Sequence, residues 1–120
     1  MIGIGVDIVN IARVERVFEK FGERFARKVL APSELQSLAI DPRLLAKRFA
    51  AKEAVAKALG TGFRLGITMP SIRIEKNQLN QPQVVLMGAA KARLDSMGGQ
   101  EILLSISDEV DSVVAFAVVR

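Results

Sequence analysis

The 120-residue chain contains no cysteine, no histidine, no tryptophan and no tyrosine. Without cysteine there is no disulfide, no zinc–thiolate site and no thiol nucleophile. Without histidine there is no Ser–His–Asp triad and no imidazole base. Acid–base and metal chemistry therefore fall to Asp, Glu and Lys. The missing cysteines fit a cytoplasmic protein. The aromatic residues are six Phe, so the stacking platforms of single-strand nucleic-acid binders are lacking. No apolar run reaches the roughly 18 residues expected of a membrane-spanning helix. The opening run Met1–Val9 is short, carries Gly3, Gly5 and Asp7, and has no basic leader. It is not expected to act as a signal peptide.

Half of the residues are hydrophobic, and 17 Lys and Arg against 13 Asp and Glu leave a net charge of +4. The length suits one domain, residues 1–120, with an ordinary core. A domain this short leaves much surface exposed, so the high apolar content points to burial against other subunits. The positive charge favours an acidic protein, a phosphorylated ligand or nucleic acid, the last weakened by the lack of stacking residues. No repeat or low-complexity segment is present.

Residues 2–9 alternate, with Ile2, Ile4, Val6 and Ile8 on one side and Gly3, Gly5, Asp7 and Val9 on the other. This predicts a strand. Glycines sharing the Asp7 face let a ligand or another backbone come close. Asn10 caps a helix whose apolar positions are Ile11, Val14, Val17, Phe18 and Phe21, with Arg13, Arg16 and Lys20 opposite. Ala31-Pro32-Ser33-Glu34 opens another short helix. Asp41-Pro42 starts a helix of roughly 42–59, ended by Gly60 and Gly62. Strands are predicted at Ile72–Glu75, Val84–Leu86, Glu101–Ser107 and Val113–Val119, and a helix over Ala89–Met97. Val113–Val119 is apolar on both faces, the pattern of a strand covered on both sides. The fold class is α+β, helices against an antiparallel sheet.

The segment Arg48-Phe49-Ala50-Ala51-Lys52-Glu53-Ala54-Val55-Ala56-Lys57 places one carboxylate among three cations on an alanine-rich helix. Ala46, Ala50, Glu53 and Lys57 share a stripe, which leaves a shallow groove leading to a carboxylate and a lysine. Glu53 and Lys57 also fit an ordinary surface pair. Arg48 and Lys52 repel at i, i+4, unless they splay into water or an anion lies between them. Asp7 caps the following helix or serves as a ligand. If Asp7 and Glu53 meet, they form an oxygen site suited to magnesium.

Gly5-Val6-Asp7-Ile8-Val9 with Arg13, then Arg48-Phe49-Ala50-Ala51-Lys52-Glu53-Ala54 with Lys57-Ala58 and Gly60-Thr61-Gly62, resembles the holo-acyl-carrier-protein synthases. These are the small bacterial 4′-phosphopantetheinyl transferases. The resemblance covers nearly the whole chain, including Leu30–Glu34 and Gln81-Pro82. It implies a single-domain phosphopantetheinyl transferase fold that forms homotrimers with active sites between subunits. It also implies magnesium-dependent transfer of phosphopantetheine from coenzyme A to a serine of acyl carrier protein. Adenosine 3′,5′-bisphosphate is released, and the reaction supports fatty acid biosynthesis.

By the same resemblance, Asp7 and Glu53 hold the metal, and Lys57 lies near the pyrophosphate. Arg48 and the Gly60-Thr61-Gly62 loop belong to coenzyme binding, and Arg13 meets the carrier protein. Glu53 and Lys57 are the expected catalytic residues. One departure stands out: many family members carry a histidine after Ser-(Ile/Leu)-(Ser/Thr), whereas Ser105-Ile106-Ser107 is followed by Asp108. That departure favours the alternative of an inactive phospholigand- or carrier-protein-binding module.

Overall fold

Alternating Gly3–Asn10 forms strand β1, whose register pairs Asp7 with Ala115 and Asn10 with Ser112 of the last strand. The computed structural model describes residues 2–120. Asn10 leaves the strand as a helix cap, its Oδ1 accepting from Arg13 N at 3.1 Å. Helix α1 (Ile11–Phe21) follows, then α2 (Glu23–Val29) and α3 (Pro32–Ser37). Asp41 caps the long helix α4 (Pro42–Ala58), its Oδ1 accepting from Leu44 N at 2.8 Å. A single 3-10 turn, Met69–Ser71, leads into β2 (Ile72–Lys76) and β3 (Pro82–Leu86). Helix α5 (Gly88–Ser96), β4 (Ile102–Asp108) and β5 (Ser112–Val119) complete the chain.

The strands form two antiparallel sheets rather than the one expected. One has the order β1-β5-β4, and β2-β3 is a separate ribbon. Helix α4 lies across the inner face of the larger sheet. Leu45, Ala46, Ala50, Ala51, Ala54, Val55 and Ala58 are buried there with Val113, Ala115, Ala117 and Val119.

The glycines of β1 resolve the choice between ligand and backbone. A Cβ on Gly3 would overlap the carbonyl oxygen of Ala58, and one on Gly5 the carbonyl oxygen of Ala54. It is the backbone of α4 that comes close. Ala46 and Ala50, expected to line an open groove, are fully covered.

The last strand corrects a second expectation. Only its inner residues are buried in this chain, while Val114 and Phe116 are exposed on the outer face. Ile2, just before the neighbouring β1, and Ile4, Val6 and Ile8 within it are exposed, as is Leu103 of β4. An apolar sheet face therefore stands open to whatever the chain meets.

Candidate active site

Strand β1 and helix α4 pack backbone to backbone, and that closeness brings their acids together. Asp7 and Glu53 line one cavity of about 320 Å³, with Asn10, Arg13, Phe25 and Phe49 on its walls. Glu53 is half-buried. Burial, and then the negative charge of Asp7, push its carboxyl above the ordinary value of 4.5, while Lys57 pulls the other way. Two like charges held at a partly dry site repel. Two oxygen donors so placed could hold a hard divalent cation, which prefers oxygen ligands. Among the described residues, no third Asp or Glu joins them in a metal-binding group.

Lys57 turns from Glu53 to Asp7. Its ammonium donates to Asp7 Oδ1 at 3.2 Å and to the Val6 carbonyl at 2.9 Å. Half of the Lys57 side chain is exposed, so the cation stays reachable from solvent. The i, i+4 pair with Glu53 does not form.

Arg48 and Lys52 do have an anion between them, and it is internal. Glu34 Oε1 accepts from Lys52 Nζ at 2.6 Å, and Glu34 Oε2 lies 3.6 Å from Arg48 Nε. All three are buried. Desolvation lowers the affinity of both cations for their protons, which Glu34 partly restores. Arg48 lines grooves beside Lys76 and not the Asp7–Glu53 cavity. The sequence held a sign of this arrangement, two repelling cations on one helix face. It held no sign of which carboxylate answers them.

At the end of α4, Gly60 and Gly62 adopt left-handed backbone, at φ +77° and +59°. Their amides donate to the Lys57 and Ala56 carbonyls, and Thr61 Oγ1 donates to the Gly62 carbonyl. These groups finish the helix, so within one chain the two glycine amides are already used. Arg93, which the sequence did not single out, also caps this end, its Nε donating to the Leu59 carbonyl at 2.8 Å. A cation suits the negative end of the helix dipole.

Arg13, Arg16 and Lys20 are exposed along α1. Phe21 is 43% exposed at its end. Lys20 and Arg24 sit over its ring at 5.3 and 5.8 Å. The result is an apolar spot within a basic surface. Asp108 lies away from it, bound to Arg43 at 2.8 Å and near Lys47 at 3.6 Å.

Comparison with known proteins shows what the chain as a whole is similar to. The model of the 4′-phosphopantetheinyl transferase superfamily matches residues 3–116. A holo-[acyl-carrier-protein] synthase from Halorhodospira halophila is 45% identical, over 97% of this chain and 94% of its own length. The crystal structure of the Neisseria meningitidis synthase superposes with a TM-score of 0.92 at 43% identity. It covers 100% of this chain and 99% of that one. The Helicobacter pylori synthase in complex with coenzyme A gives a TM-score of 0.86 at 34% identity, covering 98% and 99%.

Proposed function

The chain belongs to the holo-acyl-carrier-protein synthases of the 4′-phosphopantetheinyl transferase superfamily, and from that premise we propose how its own residues carry the reaction. The serine Oγ of an apo-acyl carrier protein attacks the β-phosphorus of coenzyme A. The bond from that phosphorus to the bridging oxygen breaks. Phosphopantetheine ends on the serine, and adenosine 3′,5′-bisphosphate leaves. Such a transfer is served by positioning and by cations placed where charge grows.

The observation that carries this reading is the shared cavity of Asp7 and Glu53, with the ammonium of Lys57 bound to the Asp7 carboxylate. Asp7 and Glu53 would hold magnesium, which supplies positive charge to the diphosphate oxygens when bound. Lys57 neutralises the leaving bisphosphate from its exposed position. Glu53 accepts the serine proton on a carboxylate oxygen, directly or through one water. Arg48 and the Gly60-Thr61-Gly62 loop contact the coenzyme, Thr61 through its side chain.

The carrier protein docks on α1. Arg13, Arg16, Lys20 and Arg24 present positive charge around the exposed Phe21 ring, which fits an acidic partner with an apolar spot. The protein works as a homotrimer in the cytoplasm. Support for assembly comes from the open sheet face, where Ile4 and Ile8 are 56% and 70% exposed. Contiguous apolar surface of this kind marks an interface. Among the described residues no helix is long and apolar enough to cross a membrane.

Incubation with coenzyme A, magnesium and apo-carrier protein tests the reading through the mass of the carrier. The wild-type chain adds one phosphopantetheine. Glu53→Gln lowers turnover by about 100-fold or more while folding normally; an unaffected rate removes Glu53 from the mechanism. Arg13→Glu raises the apparent KM for the carrier and leaves coenzyme binding unchanged. The reverse pattern refutes the dock.

A further inference from the structure

Helix α4 meets strand β1 through a surface that is close but smooth. Ala46, Ala50, Ala51, Ala54 and Ala58 are buried with one methyl each, and β1 answers with Gly3 and Gly5. Backbone-on-glycine packing at Ala54 and Ala58 sets how near the helix lies. It interlocks poorly against rolling or sliding. Roll matters here, because each residue turns the helix by about 100°, and Glu53 faces Asp7 only at one roll angle.

The polar contacts of α4 supply what the alanines lack. Lys52, next to Glu53 in the chain, has no solvent exposure at all. Its ammonium donates to the Val29 carbonyl at the end of α2 and to Glu34 Oε1, both at 2.6 Å. Glu34 Oε1 also accepts from Ala31 N at 2.7 Å, and Oε2 accepts from Ile74 N of β2 at 3.2 Å. Glu34 and Lys52 together thus tie α2, α3, α4 and β2, and neither lines the Asp7–Glu53 cavity.

Stability alone gives a weak reason for such a cluster. Buried ion pairs are often no better than apolar residues of similar volume. Here one acid faces two cations, and Arg48 Nε has no hydrogen-bond partner. A buried net positive charge is a cost that a merely structural contact would not require.

We infer that Glu34 and Lys52 are positioning residues for Glu53, pinning the roll of α4 so that the carboxylate stays directed at Asp7. This rests on the reading of Asp7 and Glu53 as the metal site. The pair touches no substrate and acts through the helix backbone.

Two variants remove the pin, the first keeping the counter-ion of Arg48 and the second the net charge of the cluster. Lys52→Met leaves Glu34 balanced by Arg48. Glu34→Gln with Lys52→Met keeps the net charge of the cluster and an amide oxygen for Ala31 N. Each is measured for melting temperature, for kcat and KM separately, and for Mn²⁺ binding by water-proton relaxation. Both variants are expected to melt near the wild type and to bind Mn²⁺ some 10- to 100-fold more weakly. Their kcat falls by a similar factor, and KM for the carrier protein holds. Wild-type Mn²⁺ binding and kcat in either folded variant would overturn the inference. So would failure of both to fold, which would assign the cluster to folding alone. Glu53→Gln separates the two levels. If it binds Mn²⁺ like the wild type, the metal-site reading falls and takes the inference with it. If it loses Mn²⁺ while the Lys52 variants keep it, only the inference falls.

Discussion

A methyl group at Gly5 would overlap the carbonyl oxygen of Ala54, a backbone atom that cannot swing away. Gly5→Ala therefore has to push α4 off β1. We expect a loss of about 3 kcal/mol or more in urea unfolding; a loss below about 1 kcal/mol would show the contact to be loose. Glu53 makes a second prediction at this scale. Its carboxyl is raised above 4.5 in the folded chain, first by burial and then by Asp7. Over the range between 4.5 and the raised folded value, the folded state keeps a proton that the unfolded chain has lost. Stability therefore falls as pH rises through that range, and the deficit persists above it. Glu53→Gln abolishes the deficit. Without divalent cations, the melting temperature of the variant exceeds that of the wild type at neutral pH. The gap shrinks as pH falls toward 4.5. A gap that does not change with pH would sink the assignment. Both residues stood out in the sequence. Glu34 did not, because nothing local marks a glutamate in a short helix as the buried answer to cations on another element.

At the scale of elements, α4 is the part most plainly written in the chain. Asp41-Pro42 at its start and Gly60 after its end are local signals, and the helix spans Pro42–Ala58 against the 42–59 predicted. The last hairpin was less legible. Asp108, expected in the turn, belongs to β4, and α4 reaches over to hold it. Arg43 donates to Asp108 Oδ2 at 2.8 Å and to the Glu109 and Val110 carbonyls at 3.0 Å each. Its side chain is 42% exposed, so its worth to global stability is modest. Arg43→Ala should cost roughly 1 kcal/mol or less and yet speed amide exchange at residues 109–112, where the turn loses its clamp. Unchanged exchange there would mean that the hairpin holds itself. The β5 pattern misled for a related reason. Apolar residues on both faces show that both faces are covered in use, but they do not say whether by the same chain.

For the whole molecule, the open face of β1-β5-β4 carries the proposed assembly. Phe116 is 45% exposed at its middle strand, beside Val6 of β1 and across from Ser105 of β4. A carboxylate there would have to be desolvated by any copy seated on the sheet. Phe116→Glu is expected to sediment as a monomer with its helices intact by circular dichroism. Turnover falls with assembly if the active sites lie between subunits. A variant that keeps the wild-type mass would remove this face from the interface.

The sequence by itself determined the order and rough extent of most strands and helices, which residue types could do chemistry, and that the family motifs lie on one strand and one helix. Those properties rest on periodicity, caps and residue chemistry, all of which act over a few neighbours. Only the tertiary structure decided that the β1 glycines admit a helix and not a ligand. It also decided that Lys57 pairs with Asp7, and that the anion between Arg48 and Lys52 is Glu34. These outcomes depend on how charges far apart in the chain are brought together by packing, and electrostatic partners are chosen by distance in space.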